Sequence, residues 1–118
     1  MSAADPITTS LARRDGIAVV SIGGEIDLST APAFEAAIAG ALDDDPSVLV
    51  IELSEVSFMA SVGLRILAAT YEKVNKSVQV AVVANNPATS RPMQLTGLDK
   101  VLSLYPTLDA ALTAMGTN

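Results

Sequence analysis

The sequence contains neither histidine nor cysteine, so any chemistry must rest on hydroxyls, carboxylates and a few cations. Without His the commonest general base and zinc ligand are gone. Without Cys there are no thiolate nucleophiles, cysteine metal sites or disulfides. Three residues stand out by type and placement: Ser61, within VIELSEVSFMASVGLRIL over 50–67, and Glu25 and Asp27, within GGEID over 23–27. Ser61 stands where a strand hands over to a helix, and ligands of open α/β sheets gather at the carboxyl ends of strands. A serine there is also a good N-cap, its hydroxyl near unpaired N–H groups. Glu25 and Asp27 leave the end of another strand and belong on the same rim if the two loops adjoin. Each has a plain structural use as well: Ser61 as a cap, the carboxylates as solvated loop residues, and Gly63 as a point of close helix–sheet packing. Together the three make at most a weak nucleotide site. No Walker or Rossmann glycine pattern accompanies them, and no base or lysine is paired with Ser61 to activate it. The expectation is a chain that is not an enzyme, with no metal and no cofactor.

The elements that must place these residues follow from periodicity. Residues 7–13 alternate weakly, with Ile7, Thr9 and Leu11 on one face, and Asp15-Gly16 is a strong turn signal before a Val/Ile-rich strand at 17–22. The two form a hairpin. Gly23-Gly24 breaks the pattern, and residues 25–28 connect to a helix capped by Ser29 or Thr30, with Pro32 in its first turn. Phe34, Ala37, Ile38, Ala41 and Leu42 form its buried stripe. Three Asp residues at 43–45, opposing the helix dipole, act as a stop. Residues 48–53 are apolar on both faces except Glu52, the mark of a central strand. A loop at 54–60 and a helix at 61–74 follow, with Gly63, Ile66, Leu67, Thr70 and Val74 as the inward stripe. Then come a strand at 78–83, a helix at 87–95 ended by Gly97, a short edge strand at 101–104 and a last helix capped by Thr107. The order β-β-α-β-α-β-α-β-α predicts an α/β fold with a mixed sheet.

The 118 residues suit one domain, 1–118, and with half the chain hydrophobic but few aromatics the core must be aliphatic. A net charge of −6 disfavours nucleic acid and anionic membranes as partners. No signal peptide and no run near the roughly 20 apolar residues of a membrane span is evident, so a cytoplasmic location is expected. With no long apolar surface stripe, a monomer is expected. Fraying is expected at 1–6 and 116–118.

Three segments in order, GEIDLSTA at 24–31, LSEVSFMASVGLRIL at 53–67 and TGLDKVLSLYPTLDAAL at 96–112, make the chain similar to the STAS family of anti-sigma factor antagonists, in particular its actinobacterial branch. The resemblance implies a mixed sheet covered mainly on one side by helices. It implies a partner anti-sigma factor, a serine kinase of histidine-kinase-like ATPase fold, which phosphorylates the residue matching Ser61. It also implies a PP2C-type phosphatase that reverses the modification. The family's Asp before that serine is Ala60 here, which removes a carboxylate able to orient the hydroxyl or help hold Mg²⁺. Its second Ser or Thr is Val62, leaving Ser61 the lone hydroxyl of the turn. The implied docking surface comprises Ser61, Val62, Leu64, Arg65 and Ala68 on the second helix, beside Glu25, Asp27, Leu28 and Ser29. STAS domains also serve in anion transporters, stress-signalling assemblies and lipid-transport complexes, a second duty open to this chain.

Overall fold

A computed structural model describes residues 7–116; the fraying expected at 1–6, 117 and 118 falls outside them. Strands β1 (Ile7–Arg14) and β2 (Ile17–Ile26) form the expected hairpin. Its two-residue turn has positive φ at both Asp15 (53°) and Gly16 (81°), the geometry that matches the strands' own twist and that Asp-Gly tolerates best. Helix α1 (Ala31–Leu42), strand β3 (Val48–Met59), helix α2 (Ser61–Val74), strand β4 (Gln79–Val83), helix α3 (Pro87–Thr96), a 3-10 turn at Leu98–Lys100, strand β5 (Ser103–Tyr105) and helix α4 (Leu108–Ala114) follow. The five strands lie in chain order, β1-β2-β3-β4-β5, with β1 antiparallel to β2 and every other pair parallel.

The sheet has a large and a small core. Ala18, Val20, Ile22, Leu49, Ile51 and Leu53 point to one face, where they meet Phe34 and Ile38 of α1, Ile66 and Leu67 of α2, and Met93 of α3. The other face offers Val48, Val50, Ala81 and Val83 to Ala111 of α4. The predicted mixed sheet, helix-covered mainly on one side, is the architecture found. The core is aliphatic save for Phe34, which is fully enclosed. No helix among the described residues is long and apolar enough to cross a membrane.

Two expectations about strand ends are corrected. β2 does not stop at Gly23-Gly24 but runs on to Ile26. Glycine serves there as a point of close approach, since a Cβ at Gly23 would stand 2.7 Å from Thr8 Oγ1 and 3.2 Å from Glu55 Cβ. Likewise β3 continues to Met59, where a loop was expected. Its pairing with β4 ends at Glu52↔Val83, while its pairing with β2 persists to Ile26↔Met59 through two register shifts. Where β4 departs, Asn86 takes its place. Its Nδ2 donates to the carbonyls of Ser54 and Val56, both at 3.3 Å, and its Oδ1 caps α3 by accepting from Ala88 N–H at 2.9 Å. One side chain thus closes an exposed strand edge, where unpaired backbone carbonyls would otherwise face solvent or the helix above, and starts the next helix.

The Asp run after α1 is also answered from elsewhere in the fold. Arg13 of β1 donates to the carbonyls of Gly40 (2.7 Å) and Ala41 (3.2 Å) at the negative end of α1 and meets Asp44 at 3.4 Å. A cation on these last carbonyls offsets the dipole that the three Asp residues oppose.

Candidate functional site

β2 and β3 end side by side, and this joint builds the rim that carries Ser61. Ile26 pairs with Met59, and the Ala60 N–H donates to the Ile26 carbonyl at 2.8 Å. That last rung holds Ala60 extended (φ −79°, ψ 168°), so the cap falls one residue earlier than expected. Ala60 is the N-cap and Ser61 the first residue of α2, with no side chain capping the helix. The expected capping role of Ser61 is therefore corrected. Its side chain is exposed, and its hydroxyl has no hydrogen-bond partner among the described residues. The start of α2 is left open, with N–H groups that favour an anion.

Gly63 makes this joint tight. A Cβ on it would fall 2.8 Å from Ile26 Cγ2 and 3.0 Å from Met59 Cγ, so α2 sits against the strand ends as no other residue would allow. Such close approach widens the arc of α2 that is covered. Leu64, expected on the docking surface, is buried with Gly63, Ile66, Leu67 and Thr70, and it is withdrawn from that surface.

The second loop of the rim is a turn organised by Asp27. Its Oδ1 accepts from the Ser29 hydroxyl (2.7 Å), the Ser29 N–H (2.9 Å) and the Thr30 N–H (3.1 Å). The Ser29 hydroxyl is the main cause that holds the Asp27 carboxyl below its ordinary range, with the Thr30 and Ser29 N–H groups adding to it against partial burial. Thr30, at the N-cap of α1, is buried; its hydroxyl donates to the Glu25 carbonyl (2.8 Å) and accepts from the Asp27 N–H (2.9 Å) instead of capping the helix. The turn is thereby fixed, and it pushes Leu28 into solvent with 81% of its surface exposed.

The two loops therefore adjoin as expected. Glu25, Leu28, Ser29, Ser61 and Arg65 are exposed at this end of the molecule, with Asp27, Val62 and Ala68 half-buried. Asp27 spends its carboxylate on its own turn rather than facing Ser61. Phe58, which was not expected to take part, pairs across from Glu25 and is 50% exposed. The two register shifts between β2 and β3 disturb the alternation that would have revealed its direction. With Leu28 it gives the rim two large apolar groups amid polar ones, the composition of a docking patch. A groove of about 250 Å³ between α1 and α2, lined by Ile38, Leu42, Ile66 and Thr70 with Glu35 and Lys73 at its edge, does not include Ser61. Among the described residues no group of three or more acidic side chains is placed to hold a metal ion.

Comparison with known proteins fits this architecture. The family model of the STAS domain matches residues 8–111. The anti-sigma-F factor antagonist RsfB of Mycobacterium tuberculosis is 55% identical over 115 residues, covering 98% of this chain and 94% of that one. A crystal structure of an anti-sigma factor antagonist from Mycobacterium paratuberculosis superposes with a TM-score of 0.89 at 60% identity, covering 97% of each chain. SpoIIAA in its unphosphorylated form shares the fold with a TM-score of 0.74 at 17% identity, over 92% of this chain and 97% of the other. With its sheet order, its helices and nearly all of its length accounted for in this way, the chain belongs to the STAS domain family.

Proposed function

We propose that this chain is an anti-sigma factor antagonist whose grip on its partner is released by phosphorylation of Ser61. The observation that carries the reading is the Ser61 hydroxyl: exposed, without a hydrogen-bond partner among the described residues, and held at the open start of α2 on the rim that also carries the exposed Leu28 and Phe58. The name of its Mycobacterium tuberculosis relative, an anti-sigma-F factor antagonist at 55% identity, points to the same class of partner.

The physics of the switch is a competition between two environments. A phosphate adds about 1.5 to 2 negative charges. In the free protein the helix start favours it by about 0.3–1 kcal/mol. Against a partner the same group loses water near Glu25, and an unpaired interfacial charge costs several kcal/mol. A net penalty of about 3–4 kcal/mol weakens binding by about 10²- to 10³-fold without unfolding the protein. In the resulting cycle the unmodified chain captures the anti-sigma factor and frees a sigma factor. The partner's own serine kinase activity modifies Ser61, and a PP2C-type phosphatase restores it. Val62 leaves no competing hydroxyl at the turn.

Titration calorimetry with the cognate anti-sigma factor tests this. Ser61→Ala should bind like the wild type and escape inactivation by ATP, while Ser61→Glu should bind at least ten-fold more weakly. Equal binding by all three, or phosphate located on another residue by mass spectrometry, would overturn the assignment. A pull-down that returns a membrane permease rather than a kinase-like ATPase would favour the transporter-linked duty known for other STAS domains.

A further inference from the structure

We propose that Arg65 is the built-in counter-ion of phosphorylated Ser61, so that modification removes a cation from the docking surface as well as adding an anion. The inference rests on reading Ser61 as the acceptor. Ser61 opens α2 and Arg65 stands four residues on; both are exposed, while Gly63 and Leu64 between them are buried. Residues four apart lie on one helix face, about 6 Å along the axis. Helical side chains lean toward the N-terminus, which carries the arm of Arg65 back over the turn that holds Ser61. An anion placed N-terminal to a cation is also the favourable order of such a pair. The guanidinium fork matches phosphate oxygens two at a time.

Arg65 is free to play this part. Among the described residues it has no ion pair or hydrogen bond through its side chain, whereas Arg13 is committed to α1 and Asp44. Other charged groups are Glu25 and Asp27 at the end of β2, Glu55 on β3, Glu35 on α1, Glu72 and Lys73 at the far end of α2, Lys76 just beyond it and Arg91 on α3. Lys73 lies twelve residues from Ser61, about 18 Å along the axis, and Lys76 lies beyond the end of the helix. Among the residues of α2, Arg65 alone joins positive charge to the right face and spacing. Before modification it offers an unpaired cation to a carboxylate on the partner. After modification the phosphate claims it.

The test uses the full chain with phosphoserine installed at position 61 during translation, so that no kinase is needed. The second ionisation of the phosphate is followed by ³¹P NMR at low salt in the wild type, Arg65→Gln and Arg65→Lys. Removing the cation should raise that pKa by about 0.3 unit, Arg65→Lys should restore most of the difference, and high salt should shrink it. Identical titrations of wild type and Arg65→Gln would overturn the pairing. Binding by the anti-sigma factor gives a second reading. Unmodified Arg65→Gln should bind several-fold more weakly, and phosphoserine should cost it less affinity than it costs the wild type. Strictly additive losses would overturn the shared role. If the kinase leaves Ser61 alone, the switch itself fails, while the NMR titration still decides the pairing.

Discussion

A methyl group added at Gly63 would come within 2.8 Å of Ile26 Cγ2, an atom of a side chain with no exposed surface. Crowding of that kind costs about 1–3 kcal/mol, and the better helix propensity of alanine returns at most about 1. Gly63→Ala should therefore lower the melting temperature by several degrees, on the scale of about 4–8 °C per kcal/mol for a domain near this size. At Gly40, also within a helix, the added Cβ meets nothing within 4 Å. There the same substitution should stabilise by about 0.5–1 kcal/mol; thermal unfolding of both variants, read side by side, checks the pair of signs. Single residues also mark how far the sequence could be read. Ser61 was legible because a strand-to-helix junction is visible in hydrophobic periodicity. Its place as first helical residue, not cap, depends on the rung between Ala60 N–H and the Ile26 carbonyl, a contact between segments 34 residues apart. The burial of Leu64 was hidden for a related reason, since it follows from how closely Gly63 lets α2 approach a different strand.

Among the elements, β3 best separates what local sequence carries from what it does not. Its first half, Val48 to Glu52, is flanked by β2 and β4 and reads plainly as a central strand. Its second half has β2 on one side only and carries Ser54, Glu55 and Ser57 in broken alternation, so it passes for a loop. The register shifts against β2 are what break the period. Asn86 is then the support that makes this half a strand. Asn86→Asp keeps an excellent cap for α3 but sets a carboxylate against the Ser54 and Val56 carbonyls in place of an N–H donor. The variant should lose about 1–2 kcal/mol although its helix start is intact. Chemical denaturation, compared with Asn86→Ala, measures how the loss divides between the strand edge and the cap. Helix ends were readable where a local residue decides them, as at Gly97 with its φ of 80° and at Thr107, which accepts from the Ala110 N–H at 3.0 Å. The clasp of Arg13 on α1 was not, because it spans 27 and 28 residues.

At the scale of the whole molecule, β3 supplies both cores: Leu49, Ile51 and Leu53 to the large one, Val48 and Val50 to the small one. Neither face can be dismantled without loosening the strand that serves the other. The protein is therefore expected to unfold in a single cooperative step, with circular dichroism and calorimetry giving one midpoint and equal enthalpies; a separate early transition for the α4 face would contradict this. The strand order β1-β2-β3-β4-β5 bears on how the molecule comes into being. Every strand takes its place beside the one made just before it, and none has to be threaded between two that are already joined. The growing polypeptide can lay down its sheet in the direction in which the ribosome delivers it, hairpin first. The rim bearing Ser61 is finished once α2 has emerged and docked, before β4, α3, β5 and α4 have taken their places.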